Sequence, residues 1–182
     1  MGQIGKTLEL MGARGLGLGE ALLKGVQASD FARQPVAASG TVGSDGSGLV
    51  RTNHPAFVYG HLSIYPARMM EFMGLDGSKI DAGQRYQDLF AHGKECLHDP
   101  EGKTYPAMDE IVSMYRRSHE TVLGAIAGVD DAVFARETPH EGMRARFPTV
   151  GSAVGFLLCS HTMMHLGQVS AWRRCMGLGS AM

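Results

Sequence analysis

Apolar side chains recur three, four or seven positions apart in four long stretches of the chain, which is the spacing of one helix face. The first helix is predicted from Gln3 to Ala28 and the second from Asn53 to Gly74. The third is predicted from Tyr105 to Val129 and the fourth from Val150 to Met176. No stretch predicts a strong strand. The pattern therefore predicts an all-α fold, a four-helix bundle with long connecting loops.

Glycine and proline mark where this pattern is interrupted. Pro66 lies inside the second helix and should kink it, because proline removes one backbone hydrogen bond. Gly74 and Gly177 are typical C-terminal stops. A loop is predicted over residues 34–53; its stretch 39–49 is rich in glycine and serine, and its role is not evident from the sequence. The first helix contains four glycines that favour close helix packing over a nucleotide-binding loop: Gly12, Gly15, Gly17 and Gly19.

Shorter connections lie between the later helices. One short helical piece is predicted over residues 84–92, inside an otherwise irregular segment. Residues 130–149 are predicted to form a loop before the fourth helix. The chain of 182 residues is expected to fold as one domain, 1–182.

Composition and charge narrow the class of protein. The net charge is −1, so no basic surplus favours nucleic-acid binding. No apolar run reaches the ~18 residues of a membrane span, and the N-terminal residues do not match a secretory signal. The three cysteines form no paired motif, which is typical of a reducing compartment. We expect a cytoplasmic protein that contacts neither membrane nor nucleic acid.

The strongest candidate for chemistry is a pair of histidines, His161 and His165, on the fourth predicted helix. Residues four positions apart leave one helix face about a turn apart, so both imidazoles can hold one metal ion. The flanking side chains are apolar, and buried neutral imidazoles need partners that a metal ion would supply. On spacing alone the alternative remains that the motif arose by chance and that one ring only fills the core. The pair lacks the glutamate of a HExxH protease.

His61 is one of several candidates for a third ligand. A histidine within a helix is more often a core or surface residue than a ligand. A catalytic metal site commonly has three protein ligands. His61 is therefore of interest only as a third ligand beside His161 and His165. His119 can be a core residue, a ligand or a residue behind the ligands, and the core role is favoured. Gln168, one turn beyond His165, is positioned to orient a ligand or a bound water.

The other histidines are weaker candidates. His54, at the start of the second helix, is expected on the surface. Glu-x-x-His motifs occur at Glu95–His98 and at Glu137–His140. A di-iron bundle would need two such motifs in the middle of long helices. Pro100 and Pro139 argue against that placement.

Two segments resemble the DinB/YfiT-like superfamily of metal-binding four-helix bundles: TNHPAFVYGHLSIYPARMMEFMG and CSHTMMHLGQVSAWRRCMGLG, with FARQP before them. The family pattern is Gly-His-Leu on the second helix and His-xxx-His-x-Gly-Gln on the last, followed by an arginine and a glycine. The matching residues in this sequence are Gly60-His61-Leu62, His161, His165, Gly167-Gln168, Arg173 or Arg174, and Gly177. One departure is Leu166, where the family often has arginine.

The resemblance implies one divalent metal ion, zinc or nickel, bound by His61, His161 and His165. It also implies a homodimer and a small-molecule substrate. A metal-dependent transfer of a low-molecular-weight thiol to a small electrophile is the first functional hypothesis. The alternatives are a metal-dependent hydrolase that activates water and a non-catalytic, stress-linked metal-binding dimer.

Overall fold

The computed structural model describes residues 2–37 and 47–181, and this part of the chain is all-α, which confirms the predicted class. Its α-helices in chain order are α1 (Gln3–Leu22), α2 (Pro55–Ser63), α3 (Pro66–Phe72), α4 (Gly83–Phe90), α5 (Met108–Ile126), α6 (Asp131–Ala135), α7 (Glu141–Arg144), α8 (Val150–Gly155) and α9 (Thr162–Cys175). A π-helical turn, Phe156–His161, joins α8 to α9, and a 3₁₀ turn covers Ser78–Ile80.

Extended pairing in the described residues is limited to two isolated bridges, Val36 with Leu49 and Glu137 with Thr149. Most of the predicted glycine- and serine-rich stretch, 39–49, lies outside the described residues, which resume at Ser47. None of the helices in the described ranges is both long and apolar enough to cross a membrane.

The second predicted helix is divided in two at Pro66. Helix α2 ends at Ser63, and Ile64 and Tyr65 form the turn before α3. Pro66 has no backbone N–H, so it cannot continue the hydrogen-bond ladder of α2, but it fits the first turn of a new helix. The predicted kink is therefore a break, after which Gly74 ends α3 with a positive φ of 79°.

Other boundaries also differ from the prediction. Helix α1 ends at Leu22 rather than Ala28. The segment predicted as a loop over residues 130–149 contains the two short helices α6 and α7. The fourth predicted helix is interrupted by the π-helical turn and ends before Gly177, which has a φ of 75°.

The glycines of α1 permit the close packing expected from the sequence. A Cβ atom on Gly12 would lie 2.8 Å from a methyl carbon of Leu123 in α5, and one on Gly19 would lie 2.5 Å from the Tyr115 hydroxyl. Gly15 faces Thr162 of α9 at 3.5 Å, whereas Gly17 has no neighbour within 4 Å. Helix α1 thus packs between α5 and α9 through Gly12, Gly15 and Gly19.

The buried side chains form two apolar clusters. One involves α3, α8 and the C-terminal half of α5, and the other involves α2, α4 and α9. Trp172 of α9 is fully buried in the second cluster, where its indole N–H donates to the Arg33 carbonyl at 2.7 Å. Tyr65, in the break between α2 and α3, packs against both clusters.

Candidate metal centre

Three histidines from two separate helical segments converge in the described structure. His61 comes from α2, His161 ends the π-helical turn, and His165 lies one turn further along α9. One ring nitrogen of each lies within 4.8 Å of the corresponding nitrogens of the other two. His61 and His161 are buried, and His165 is half-buried. The structure therefore places together the three residues that the sequence nominated.

The position of His61 is fixed by the residue before it and by α4. Its Nδ1–H donates to the Phe90 carbonyl at 2.6 Å, at the end of α4. A Cβ on Gly60 would lie 2.5 Å from the Phe90 ring. Glycine at position 60 thus allows α4 to approach α2 closely enough for this bond. Because Nδ1 carries the proton, Nε2 of His61 presents its lone pair to the other histidines.

His165 is held in the same way by a side chain. Its Nδ1–H donates to Oε1 of Gln168 at 3.1 Å, and that oxygen also accepts from Nδ2 of Asn53 at 3.0 Å. Nε2 of His165 is therefore unprotonated. Histidine ligands of metals typically donate their second ring N–H to such a fixed oxygen, which sets the tautomer and the ring orientation.

His161 completes the group by way of the π-helical turn. Its Nε2 lies 3.2 Å from Nε2 of His61, and its buried Nδ1 has no hydrogen-bond partner among the described residues. Two nitrogens bound tetrahedrally to one zinc ion would lie ~3.3 Å apart, given Zn–N bonds of ~2.05 Å. The observed spacing of these two nitrogens fits one divalent ion.

The electrostatics of the group favour neutral imidazoles. Burial lowers the pKa of His61 to about 4, and the neighbouring His165 adds to the effect. Burial, together with His165 and His61, lowers the pKa of His161 to about 3. The pKa of His165 is also lowered by burial, against a hydrogen bond to Gln168 that raises it. Neutral imidazoles have the free lone pairs that a metal ion requires.

A cavity of about 540 Å³ opens directly over the three histidines. Its walls are largely apolar, with Phe57, Phe147, Phe156 and Leu157 among them. Such a volume is typical of a site for a small organic molecule.

Two further residues that line the cavity, Tyr65 and Arg68, were not predicted as site residues from the sequence. The Tyr65 hydroxyl lies 3.3 Å from Nε2 of His61, and its pKa is raised by burial and lowered by Arg68. Tyr65 follows His61 by four positions and Arg68 follows it by seven, which is the spacing of one face in an unbroken helix. That spacing was the available signal in the sequence, although the chain breaks between α2 and α3 at this point.

His92 also lines the cavity, whereas the other candidate histidines lie elsewhere. His119 is buried in α5, where Nδ1–H donates to the Tyr115 carbonyl at 2.9 Å, and it does not line the cavity. The expectation that His54 lies on the surface is wrong: it is fully buried and caps α2 by accepting the Phe57 N–H at 3.2 Å. His98 accepts the Gln34 N–H at 3.0 Å.

The resulting protein is an all-α protein with a histidine-lined cavity at the break in one helix. The family model of the DinB superfamily matches residues 18–169, so the chain belongs to the DinB superfamily. This match covers the first motif segment and the second as far as Val169, and it confirms the suspected family. Searches of curated proteins and of solved structures found no significant match.

Proposed function

We propose that His61, His161 and His165 bind one divalent metal ion through Nε2, and that zinc or nickel is the ion. The observation that carries this proposal is the fixing of two Nδ1 atoms, on the Phe90 carbonyl and on Gln168, which leaves two Nε2 atoms unprotonated in a group whose ring nitrogens lie within 4.8 Å of one another. Imidazole nitrogens suit zinc and nickel, while oxygen-preferring cations such as magnesium would be poorly served.

The fold supports a four-helix bundle arrangement for this site. The four units would be α1, α2 with α3, α5, and α8 with α9, and the contacts between α2 and α5, α1 and α5, α1 and α9, and α2 and α9 are consistent with it. In this arrangement the metal links the second unit to the fourth. We also propose that the chain, 1–182, is a single domain.

The reaction we propose is transfer of a small thiol to a small electrophile. A bound divalent ion supplies positive charge that lowers the pKa of a neighbouring thiol, so that it reacts as the thiolate. The sulfur forms a bond to the electrophilic carbon, the leaving group departs with its electron pair, and the thiol proton is released. The thiol and the electrophile are the only two reactants required.

The residues of the cavity have separate roles in this proposal. Gln168 and the Phe90 carbonyl orient two of the histidines. The aromatic walls would hold an apolar part of the electrophile beside the histidines. The Tyr65 hydroxyl, 3.3 Å from the nearest histidine nitrogen, is placed to donate a hydrogen bond to the leaving group or the electrophile.

A hydrolase is the weaker candidate. Water activation at a metal commonly requires a nearby general base, and none of the described residues that line the cavity is a carboxylate. A non-catalytic metal-binding protein would not require the open cavity over the histidines.

Metal analysis tests the first part of the proposal. Protein purified without a histidine tag should contain about one equivalent of zinc or nickel by elemental analysis. His161→Ala should lose the metal while its far-UV circular dichroism stays unchanged. His140→Ala, which changes an exposed histidine outside the cavity, should retain it. Full occupancy in His161→Ala would refute the site.

A thiol panel tests the reaction. Metal-loaded protein is incubated with one thiol at a time and a chromogenic electrophile, and the thioether product is measured. We expect a metal-dependent rate with at least one thiol, and a reduced rate at unchanged metal content in Tyr65→Phe. No metal-dependent rate with any thiol, together with turnover of ester or amide substrates, would favour the hydrolase.

We further propose a cytoplasmic homodimer. All three cysteines are free, which is consistent with a reducing compartment. Exposed apolar side chains on α1 and α9 offer a surface for a second copy: Ile4, Leu10, Met11, Met163 and Met164. Light scattering coupled to size-exclusion chromatography would give twice the chain mass if this is correct, and the chain mass itself if it is not.

A further inference from the structure

The charged side chains that line the cavity over the three histidines are all cationic. Three cationic side chains line it: Arg68 from α3, Lys94 from the segment after α4, and Arg146 from the segment after α7. None of the described residues that line the cavity is acidic. The cations therefore come from three separate parts of the chain and line one cavity.

The three cationic side chains form no ion pair within the described part of the chain. Arg68 is half-buried, and Lys94 and Arg146 are exposed. In the described residues none of the three forms an ion pair with a carboxylate, whereas other arginines do so, such as Arg116 with Glu20 at 2.7 Å. A solvated surface would be expected to mix both signs of charge, and the net charge of the chain is −1. The concentration of positive charge at the opening is thus a local feature.

We infer that the cavity selects a small anionic ligand, a molecule with carboxylate groups that Arg68, Arg146 and Lys94 bind while its reactive atom faces the three histidines. This inference deepens the proposed function and rests on it for the location of the reacting atom. Arginine fits a carboxylate with two parallel hydrogen bonds, and the lysine adds a mobile charge at the rim.

The neighbours of two of the cations support this arrangement. Arg68 lies near Tyr65, whose pKa its charge lowers, and Tyr65 in turn contacts His61. Arg146 directly precedes Phe147, whose ring stacks on that of Phe156 at 4.3 Å, and both rings line the cavity. A ligand of a few carbon atoms would contact the aromatic rings while its anionic groups bind the cations.

Titration of the metal-free protein tests the cationic side without the metal. Succinate and its neutral analogue succinamide are titrated into chelator-treated protein by isothermal calorimetry. We expect succinate to bind at least tenfold more tightly than succinamide, and higher salt to weaken only the succinate binding. Equal affinity for the two molecules would overturn the inference.

Single substitutions show which cationic side chains are responsible for succinate binding. Arg68→Gln and Arg146→Gln should each weaken succinate binding about fivefold, the effect expected for loss of one screened charge pair. Arg14→Gln, which removes an exposed arginine of α1 outside the cavity, should leave it unchanged. Because Arg68 is half-buried, thermal unfolding of its variant is checked, and Arg146→Gln decides the outcome if that variant is unstable. Unchanged affinity in Arg146→Gln and in a folded Arg68→Gln overturns the inference.

Titration of the zinc-loaded protein identifies which reactant carries the carboxylates. Mercaptosuccinate and 2-mercaptoethanol represent an anionic and a neutral thiol. If Arg146→Gln weakens mercaptosuccinate but not 2-mercaptoethanol, the thiol is the anionic ligand. If it weakens succinate alone, the anionic ligand is the electrophile. If zinc fails to bind, the proposed function fails, but the metal-free titration still decides the inference.

Discussion

Arg173 is the residue whose replacement should most affect stability without touching the histidines. It is 4% exposed, and its Nη1 donates to the Leu22 carbonyl at 2.8 Å and to the Lys24 carbonyl at 2.7 Å. Both carbonyls lie at the C-terminal end of α1, where the last turn of a helix has unpaired acceptors and a partial negative charge. The guanidinium therefore joins the end of α1 to α9.

Arg173→Met keeps the length of the side chain and removes the donors. The Leu22 carbonyl remains, buried and unpaired, whereas the carbonyl of the exposed Lys24 can bind water instead. Loss of a hydrogen bond to a charged group costs ~1.5–3 kcal/mol where the acceptor is buried and less where water replaces the donor, so the variant should lose about 2–4 kcal/mol of unfolding free energy. For a chain of this size that corresponds to a Tm lower by about 4–16 °C.

The assay is urea unfolding followed by the fluorescence of Trp172, the one tryptophan of the chain and the residue before Arg173. Arg174→Met is the matched control, because Arg174 is exposed on the same helix. The control should lie within about 0.5 kcal/mol of the original protein. Equal losses in the two variants would refute the assignment of Arg173 as the cap of α1.

Four further substitutions test the helix packing, the support of a histidine ligand and the protonation of a buried histidine. Gly60→Ala brings a Cβ to 2.5 Å from the Phe90 ring and should cost ~1–3 kcal/mol in urea unfolding and weaken zinc binding. Gly124→Ala, whose Cβ meets nothing within 4 Å, should instead stabilise the protein by ~0.5–1 kcal/mol. Gln168→Ala frees the histidine it orients and should weaken zinc binding about 10–100-fold in a chelator competition; an unchanged affinity would show that the bond has no role. Burial lowers the pKa of His119 to about 4, below its unfolded value of about 6.5, so its contribution to stability is complete above pH 6.5 and is lost as the pH falls towards 4. His119→Leu should reduce this pH dependence of the unfolding free energy by up to ~3 kcal/mol, and an unaltered pH profile would contradict the shifted pKa.

The sequence was sufficient for the helical class because the apolar spacing of the long helices is a local property. Gly74 and Gly177 were recognised as stops for the same reason, since a positive φ at a helix end depends mainly on the residue itself. The extent of the break at Pro66 was not predictable. Whether a chain bends or stops at a proline depends on the packing of the residues beyond it, here Met69, Met70 and Phe72 in the core.

The residues of the candidate site likewise include some that the sequence could predict and some that it could not. Helical spacing placed His161 beside His165, but only the resemblance to a family singled out His61, because its approach depends on contacts 100 residues apart in the chain. The Phe90 carbonyl and Asn53 could not be nominated, since a backbone oxygen and a loop amide leave no pattern in the sequence. The choice between Arg173 and Arg174 likewise required the structure, which buries only Arg173.

The π-helical turn from Phe156 to His161 makes the site sensitive to chain length rather than to side-chain identity. A π turn accommodates one residue more than an α turn. One extra residue in a continuous α-helix would rotate everything after it by about 100°. By absorbing that residue, the π turn lets α9 keep His165 at the cavity and Trp172 in the core. A single-codon deletion within this segment should therefore leave α9 in register as part of a continuous α-helix, whereas a second deletion would rotate it and remove the site and the packing of α9 together.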